Sequence, residues 1–255
     1  MRQLLVSTLL IALTSSLTIT AQQPPRKTGG TQSMTTASDC APDVKSIKDC
    51  PDEGCGGQYD SKLNRRKNIR SDNQKASLRS IEWMKALPDP RHFTRQNTNR
   101  NELTRLGEGQ KITIVAYALV ARKGSKESCN CGLTAPKDTD NHIVLVDPAL
   151  RDPTLQANEA DSETAEFTPR VRLDHRNFTR GRLEPLIEAQ GGKLLVRVTG
   201  LLMFDSEHFL WRHLKRHNNW EIHPVLNLDY CPQGATCGQA NNVNWRSLDR
   251  LTLFP

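Results

Sequence analysis

The apolar pattern changes period near Gly107. Before it, Leu78, Ile81, Met84 and Leu87 recur at roughly helical spacing, and Trp83 widens that face. Ser71, with Gln74 three residues on, has capping-box spacing, and Pro88 and Pro90 form a stop. This predicts a helical arm ending near residue 87. After Gly107 the period becomes two. Ile112, Ile114, Ala116, Ala118 and Val120 share one face of a first strand, while Val115 and Leu119 make its other face apolar too. A second strand is expected over 142–146.

A third strand is expected over 164–173. Ala165, Phe167, Val171 and Leu173 alternate with Glu166, Thr168, Arg170 and Arg172, and Pro169 marks an edge or bulge. Leu183, Leu186 and Ile187 predict a short helix ending near Gly191. The fourth strand is expected over 193–205, with Gly200 as a bend or bulge. The fifth is expected over 220–230, with Trp220, Ile222, Leu226 and Leu228 inward and Glu221, His223, Asn227 and Asp229 outward.

Three strands, a helix and two strands is the order of an OB-like Greek-key barrel. The fold class predicted is mainly β: a five-stranded OB-like barrel over 107–230, with a helix between strands three and four. A β-sandwich is the rival. The flanking parts read as an apolar leader (1–21), a flexible tail and cysteine patch (22–60), a basic segment with the helical arm (61–106) and a C-terminal extension (231–255).

The leader sets the compartment. Arg2 precedes the apolar run 4–13, which is too short to anchor in a bilayer, and cleavage is expected near Ala21. The mature chain is therefore expected to be exported, periplasmic or secreted, without a transmembrane anchor. In an oxidising compartment Cys40, Cys50, Cys55, Cys129, Cys131, Cys231 and Cys237 are disulfide candidates, and seven leaves at least one unpaired. Cys231 and Cys237 most simply close a short loop. Cys129-Asn130-Cys131 reads as a staple to the Cys40–Cys55 patch, ahead of a redox pair.

Several segments carry a resemblance: Ser128-Cys-Asn-Cys-Gly-Leu133, Asp140-Asn-His-Ile-Val-Leu-Val146, Glu166-Phe-Thr-Pro-Arg-Val-Arg172, the stretch 196–208, and Trp220-Glu-Ile-His-Pro-Val225. Together with 54–68 they resemble a family of exported bacterial proteins that is OB-fold-like and nucleic-acid-binding-like, without established chemistry. The resemblance implies the fold and a bacterial setting, and it carries over no catalytic residue.

Charge and residue type then suggest chemistry. The net charge is +7, or +6 once Arg2 leaves with the leader. The sequence pI is near 9.1 and the mean hydropathy is −0.60. A basic chain permits single-stranded nucleic acid or another polyanion as partner. Outward Arg170, Arg172 and Arg197 would supply the groove charge, and Tyr117, Phe178, Trp211 and Trp245 are the possible base stackers. This leading expectation is a ligand-binding module.

The alternative is a metal-dependent hydrolase. His142, Glu166, His208 and His223 are its candidate catalytic residues, and His142, Asp205, His208 and His223 its candidate metal ligands. They would meet where strand ends converge at a barrel rim. A divalent metal is the second expectation here, not the first. His213 and His217, four apart, sit among Arg212, Lys215 and Arg216, which disfavours a cation between them. A purely structural envelope protein is the third reading. Nothing in the sequence speaks to oligomeric state.

Overall fold

A computed structural model describes residues 39–57, 59–93, 99–209, 215–238 and 243–252. The leader, the tail to residue 38, Trp211, Arg212 and His213 lie outside them. Five strands close into a barrel: β2 (Lys111–Lys123), β3 (Asn141–Val146), β4 (Glu163–Phe167), β5 (Leu194–Phe204) and β6 (Trp220–Tyr230). β2 runs antiparallel to both β3 and β5, β3 to β4, and β5 to β6, while β4 and β6 are parallel. Closure leaves β2 hydrogen-bonded on both edges, which removes the open-edge problem of a sheet. Two short strands are added outside the ring. β1 (Ser77–Arg79) is parallel to β2, and β7 (Arg246–Ser247) is antiparallel to β6.

Alternation along the strands fills the barrel. Ile112, Ile114, Ile143, Leu145, Ala165, Phe167, Val196, Val198, Trp220 and Ile222 are all fully buried in one core. Val115, on the opposite face of β2, is covered by Cys231 and Trp245, so the doubly apolar strand is buried twice. The helix α5 (Arg180–Ala189) lies between β4 and β5 in sequence and contributes Leu183 and Ile187 to the core. A bulge in β2 between Ala118 and Val120 shifts its pairing with β3. Beyond it Ala121, not the expected Val120, joins the core, and the Glu184 carboxylate accepts the Ala121 N–H.

Three expectations need correction. The arm is not one helix from residue 71. Ser77–Arg79 is a strand, and helix α2 (Ile81–Lys85) starts only at Ser80, whose hydroxyl accepts the Trp83 N–H. The basic stretch before it forms helix α1 (Ser61–Lys67), capped by Asp60. The third strand stops at Phe167, because Pro169 cannot donate to a ladder, and Val171–Leu173 is a 3₁₀ turn. Arg170 and Arg172 therefore leave the strand face on which they were expected. Two further short helices are α3 (Asn101–Leu106), which precedes β2, and α4 (Leu155–Asn158), which precedes β4. Among the described residues no helix is long and apolar enough to cross a membrane.

Gly200 sits where the ladder between β5 and β6 shifts register. A Cβ there would lie 2.3 Å from the Pro224 carbonyl oxygen and 2.5 Å from Ile222 Cγ2. Gly200→Ala is expected to destabilise the protein by about 2 kcal/mol or more, as overpacking does. The midpoint of urea unfolding measures this, and an unchanged midpoint contradicts the close approach.

Candidate functional site

On β4, Ala165 and Phe167 point into the barrel, so Glu166 points out. Its antiparallel partner on β3 is His142. The parallel register of β4 with β6, Ala165 opposite Ile222, sets His223 beside it on the other side. The result is a row across three strands, His142–Glu166–His223. Glu166 Oε1 lies 3.4 Å from His142 Nε2, and Glu166 Oε2 lies 3.1 Å from His223 Nδ1. Glu221 Oε1 is 3.2 Å from the same His223 nitrogen.

This row is on the outer wall of the barrel, yet two of its three members are buried and only the His142 side chain is partly exposed. His223 is fully inaccessible and Glu166 nearly so. The cover is the β2–β3 loop and the N-terminal patch. Glu127 precedes the turn Ser128–Asn130, and its Oε1 is 3.9 Å from His142 Nε2. Lys67, the last residue of α1, is buried against Glu127 Oε2 at 3.0 Å and Glu207 Oε2 at 3.7 Å. Asn64 of the same helix and its C-cap Asn68 donate to Ser128 Oγ and the Cys129 carbonyl. The patch presses so closely that a Cβ on Gly54 would meet the Ser128 carbonyl oxygen at 2.1 Å. Disulfides Cys40–Cys55 and Cys50–Cys131 lock this cover, and Cys231–Cys237 closes the expected short loop. Cys131 is thus the staple, and Cys129 is a buried free thiol donating to Glu127 Oε2 at 3.3 Å.

Asp140 completes the cluster, with Oδ2 accepting from Asn130 at 3.0 Å. Three overlapping sets bring their donor atoms within 4.8 Å of one another: Asp140, Glu166 and His223; Glu127, His142 and Glu166; Glu127, Cys129 and Asp140. Asp140 Oδ1 and His223 Nε2 are buried and make no hydrogen bond, while His142 Nε2 and Glu166 Oε2 have only the ion-pair contacts above. Buried polar atoms are ordinarily satisfied, so two such atoms in one cluster point to a missing ligand. Donors sharing one ion through ~2.1 Å bonds sit ~3.4 Å apart, so the set must tighten by at most about 1.5 Å. Nitrogen with carboxylate oxygen suits zinc, manganese or iron.

The expected histidine–carboxylate convergence is therefore partly met. His142, Glu166 and His223 meet, on the outer wall rather than at a rim. Asp205 and His208 form a neighbouring pair, Oδ2 to Nδ1 at 2.6 Å. Arg216 joins them to the row by pairing with Asp205 and, at 2.9 Å, with Glu221. Glu127 and Lys67 were not legible as site residues, because one precedes a loop turn and the other sits in a run of surface-like cations. His217 pairs with Asp161 at 3.0 Å.

The arginines expected to line a groove are engaged within the chain. Arg170 donates to the Cys50 and Pro51 carbonyls, both at 2.6 Å. Arg172 holds the carbonyls of Phe167, Lys137 and Thr139. Arg197 donates to Asp229 and lies over the Trp245 ring. Phe178 is stacked inside the core on Phe167, and Trp245 is also buried. No family model, curated protein or solved structure matches this chain, so its chemistry is read from this geometry.

Burial pushes the His142 imidazole down, but Glu166 and Glu127 outweigh it and hold it up at about 9. Burial likewise opposes the Glu166 carboxylate, and the two histidines overcome it, to about 2. Asp140 is raised to about 7 by burial and then by Glu127. On the core side, burial raises Glu163 to about 8. The His142 contribution to stability is complete below its unfolded value of 6.5 and is lost as pH rises through about 9. The Glu166 contribution is complete above 4.5 and is lost as pH falls through about 2. Raised Asp140 and Glu163 favour the folded state at low pH and lose that effect as pH climbs to about 7 and about 8. Metal-free protein is therefore expected to be most stable near pH 5 and to weaken steadily toward pH 9. Urea midpoints across pH, in the presence of a chelator, check this. A maximum at pH 8 or above contradicts it.

Proposed function

We propose that this protein is an exported metal-dependent hydrolase built on an OB-like barrel. The observation that carries it is the buried set Asp140, Glu166 and His223, whose donor atoms lie within 4.8 Å of one another, with the overlapping set Glu127, His142 and Glu166 beside it. The OB-like reading is supported by closure through β2-β3-β4-β6-β5, with β4 and β6 parallel and α5 between β4 and β5. Export is supported by the apolar leader and by the disulfides, which oxidising compartments preserve.

Access supports turnover rather than storage. A cavity of about 320 Å³ is lined by Lys126, Glu127, Ser128, Glu207 and His208. It meets the cluster at Glu127. A divalent ion held by Asp140, Glu166 and His223 would activate water near neutral pH. His208, oriented by Asp205 at 2.6 Å, is the candidate general base at the cavity mouth, and Lys67 holds Glu127 in its ionised form. Glu221 fixes the His223 ring from behind, as carboxylates do for metal-bound imidazoles.

Chelator-treated protein is expected to take up zinc or manganese at one ion per chain. Glu166→Gln and His223→Ala are expected to weaken uptake by about 100-fold or more, and His208→Ala to spare uptake while lowering hydrolysis. Calorimetric titration, with circular dichroism to verify folding, reads this. No stoichiometric uptake by folded wild-type protein overturns the proposal.

A further inference from the structure

A second, larger cavity of about 820 Å³ opens on the other side of β3. Its volume lies in the range of small-molecule sites. Asn141 lines it, whereas its chain neighbours Asp140 and His142 belong to the buried cluster. Six cations stand on its wall: Lys48, Lys123, Lys137, Arg172, Arg176 and Arg180. Among the described residues none of the six has a carboxylate oxygen within ion-pair distance, although most arginines and several lysines elsewhere do. The single wall acid, Asp138, is buried and accepts the Ile47 N–H at 3.1 Å. Like charges gathered without counterions repel one another, and a bound anion relieves that cost.

The wall also carries apolar surface. Ile47, Pro169 and Leu173 lie between the cations. A bare inorganic anion would leave these contacts unused. Helix α5 begins at the same wall, where the Asn141 side chain rather than Thr179 accepts the Arg180 N–H at 2.8 Å, and the positive end of the helix adds to the field.

We propose that this cavity binds a compact phosphate-bearing small molecule with an apolar body, the chemistry of a nucleotide. Lysines supply mobile point charges, and Arg176 and Arg180 supply forked donors for phosphate oxygens, Arg172 being held by three carbonyls. The apolar body lies against Ile47, Pro169 and Leu173. The site is separate from the metal cluster and does not depend on it.

The test is calorimetric titration of the full chain with ADP, in buffer containing EDTA so that the metal cluster takes no part. ADP is expected to bind one per chain at about 50 mM salt and to weaken at least tenfold by about 300 mM. Inorganic pyrophosphate, which lacks the apolar body, is expected to bind at least fivefold more weakly. The double variant Lys137→Ala/Arg176→Ala changes two exposed side chains and is expected to lose at least tenfold in ADP affinity. Lys75→Ala/Arg105→Ala removes the same charge from residues outside the cavity and is expected to stay within twofold of wild type. Absence of ADP binding at low salt overturns the proposal. So do equal losses in the two double variants, and so does binding of a single-stranded oligonucleotide where ADP fails.

Discussion

The structure depends on covering a row of ionisable side chains on the outer wall of a closed barrel. His142, Glu166 and His223 stand side by side on three adjacent strands. Left in water, such a row would be weak surface electrostatics. Under α1 and the β2–β3 loop it becomes a low-dielectric network in which every charge needs a partner. Lys67 answers Glu127 and Glu207, and Arg216 answers Glu221 and Asp205. Removing one such partner leaves a buried charge uncompensated, at a cost of roughly 3–5 kcal/mol. The cover is small and poor in apolar residues, so its own packing is slight. The Cys50–Cys131 bridge ties it to the loop it must hold, closing 81 residues of chain. In the chain-entropy picture, crosslinks over longer loops remove more unfolded-state freedom, about 4–5 kcal/mol at this length.

Much of the barrel was legible because burial on one face imposes a period of two. Trp220, Ile222, Phe167 and Val196 announced their strands and do face the core. Gly200 announced a bulge and sits at one. The misreadings occurred where local pattern competes with pairing elsewhere. The stretch 77–85 has helical spacing throughout, yet its first three residues pair with β2, a constraint that sequence periodicity does not encode. Pro169 was seen, but its consequence, an early end to β4, was underestimated.

The site was half legible for a similar reason. Alternation turns Glu166, Glu221 and His223 away from the core, but nothing in the local pattern says that the outer face is covered. What covers it is a segment more than 50 residues upstream, folding back through disulfides whose pairing spacing cannot dictate. Lys67 looks like its neighbours Arg65 and Arg66 in sequence and differs only in where α1 docks. The basic groove failed on the same point, since Arg170 and Arg197 serve carbonyls and Asp229 within the chain. Six cations without a carboxylate partner among the described residues gather instead around the cavity beside α5.

The central claim is that the buried row holds a metal ion, and an anomalous-scattering map tests it most directly. Crystals grown with zinc and recorded at the zinc edge should show one strong peak among Asp140, Glu166 and His223, within bonding distance of an imidazole nitrogen and a carboxylate oxygen. An ordered row with no peak at saturating zinc would contradict the account and leave the network a structural ion cluster.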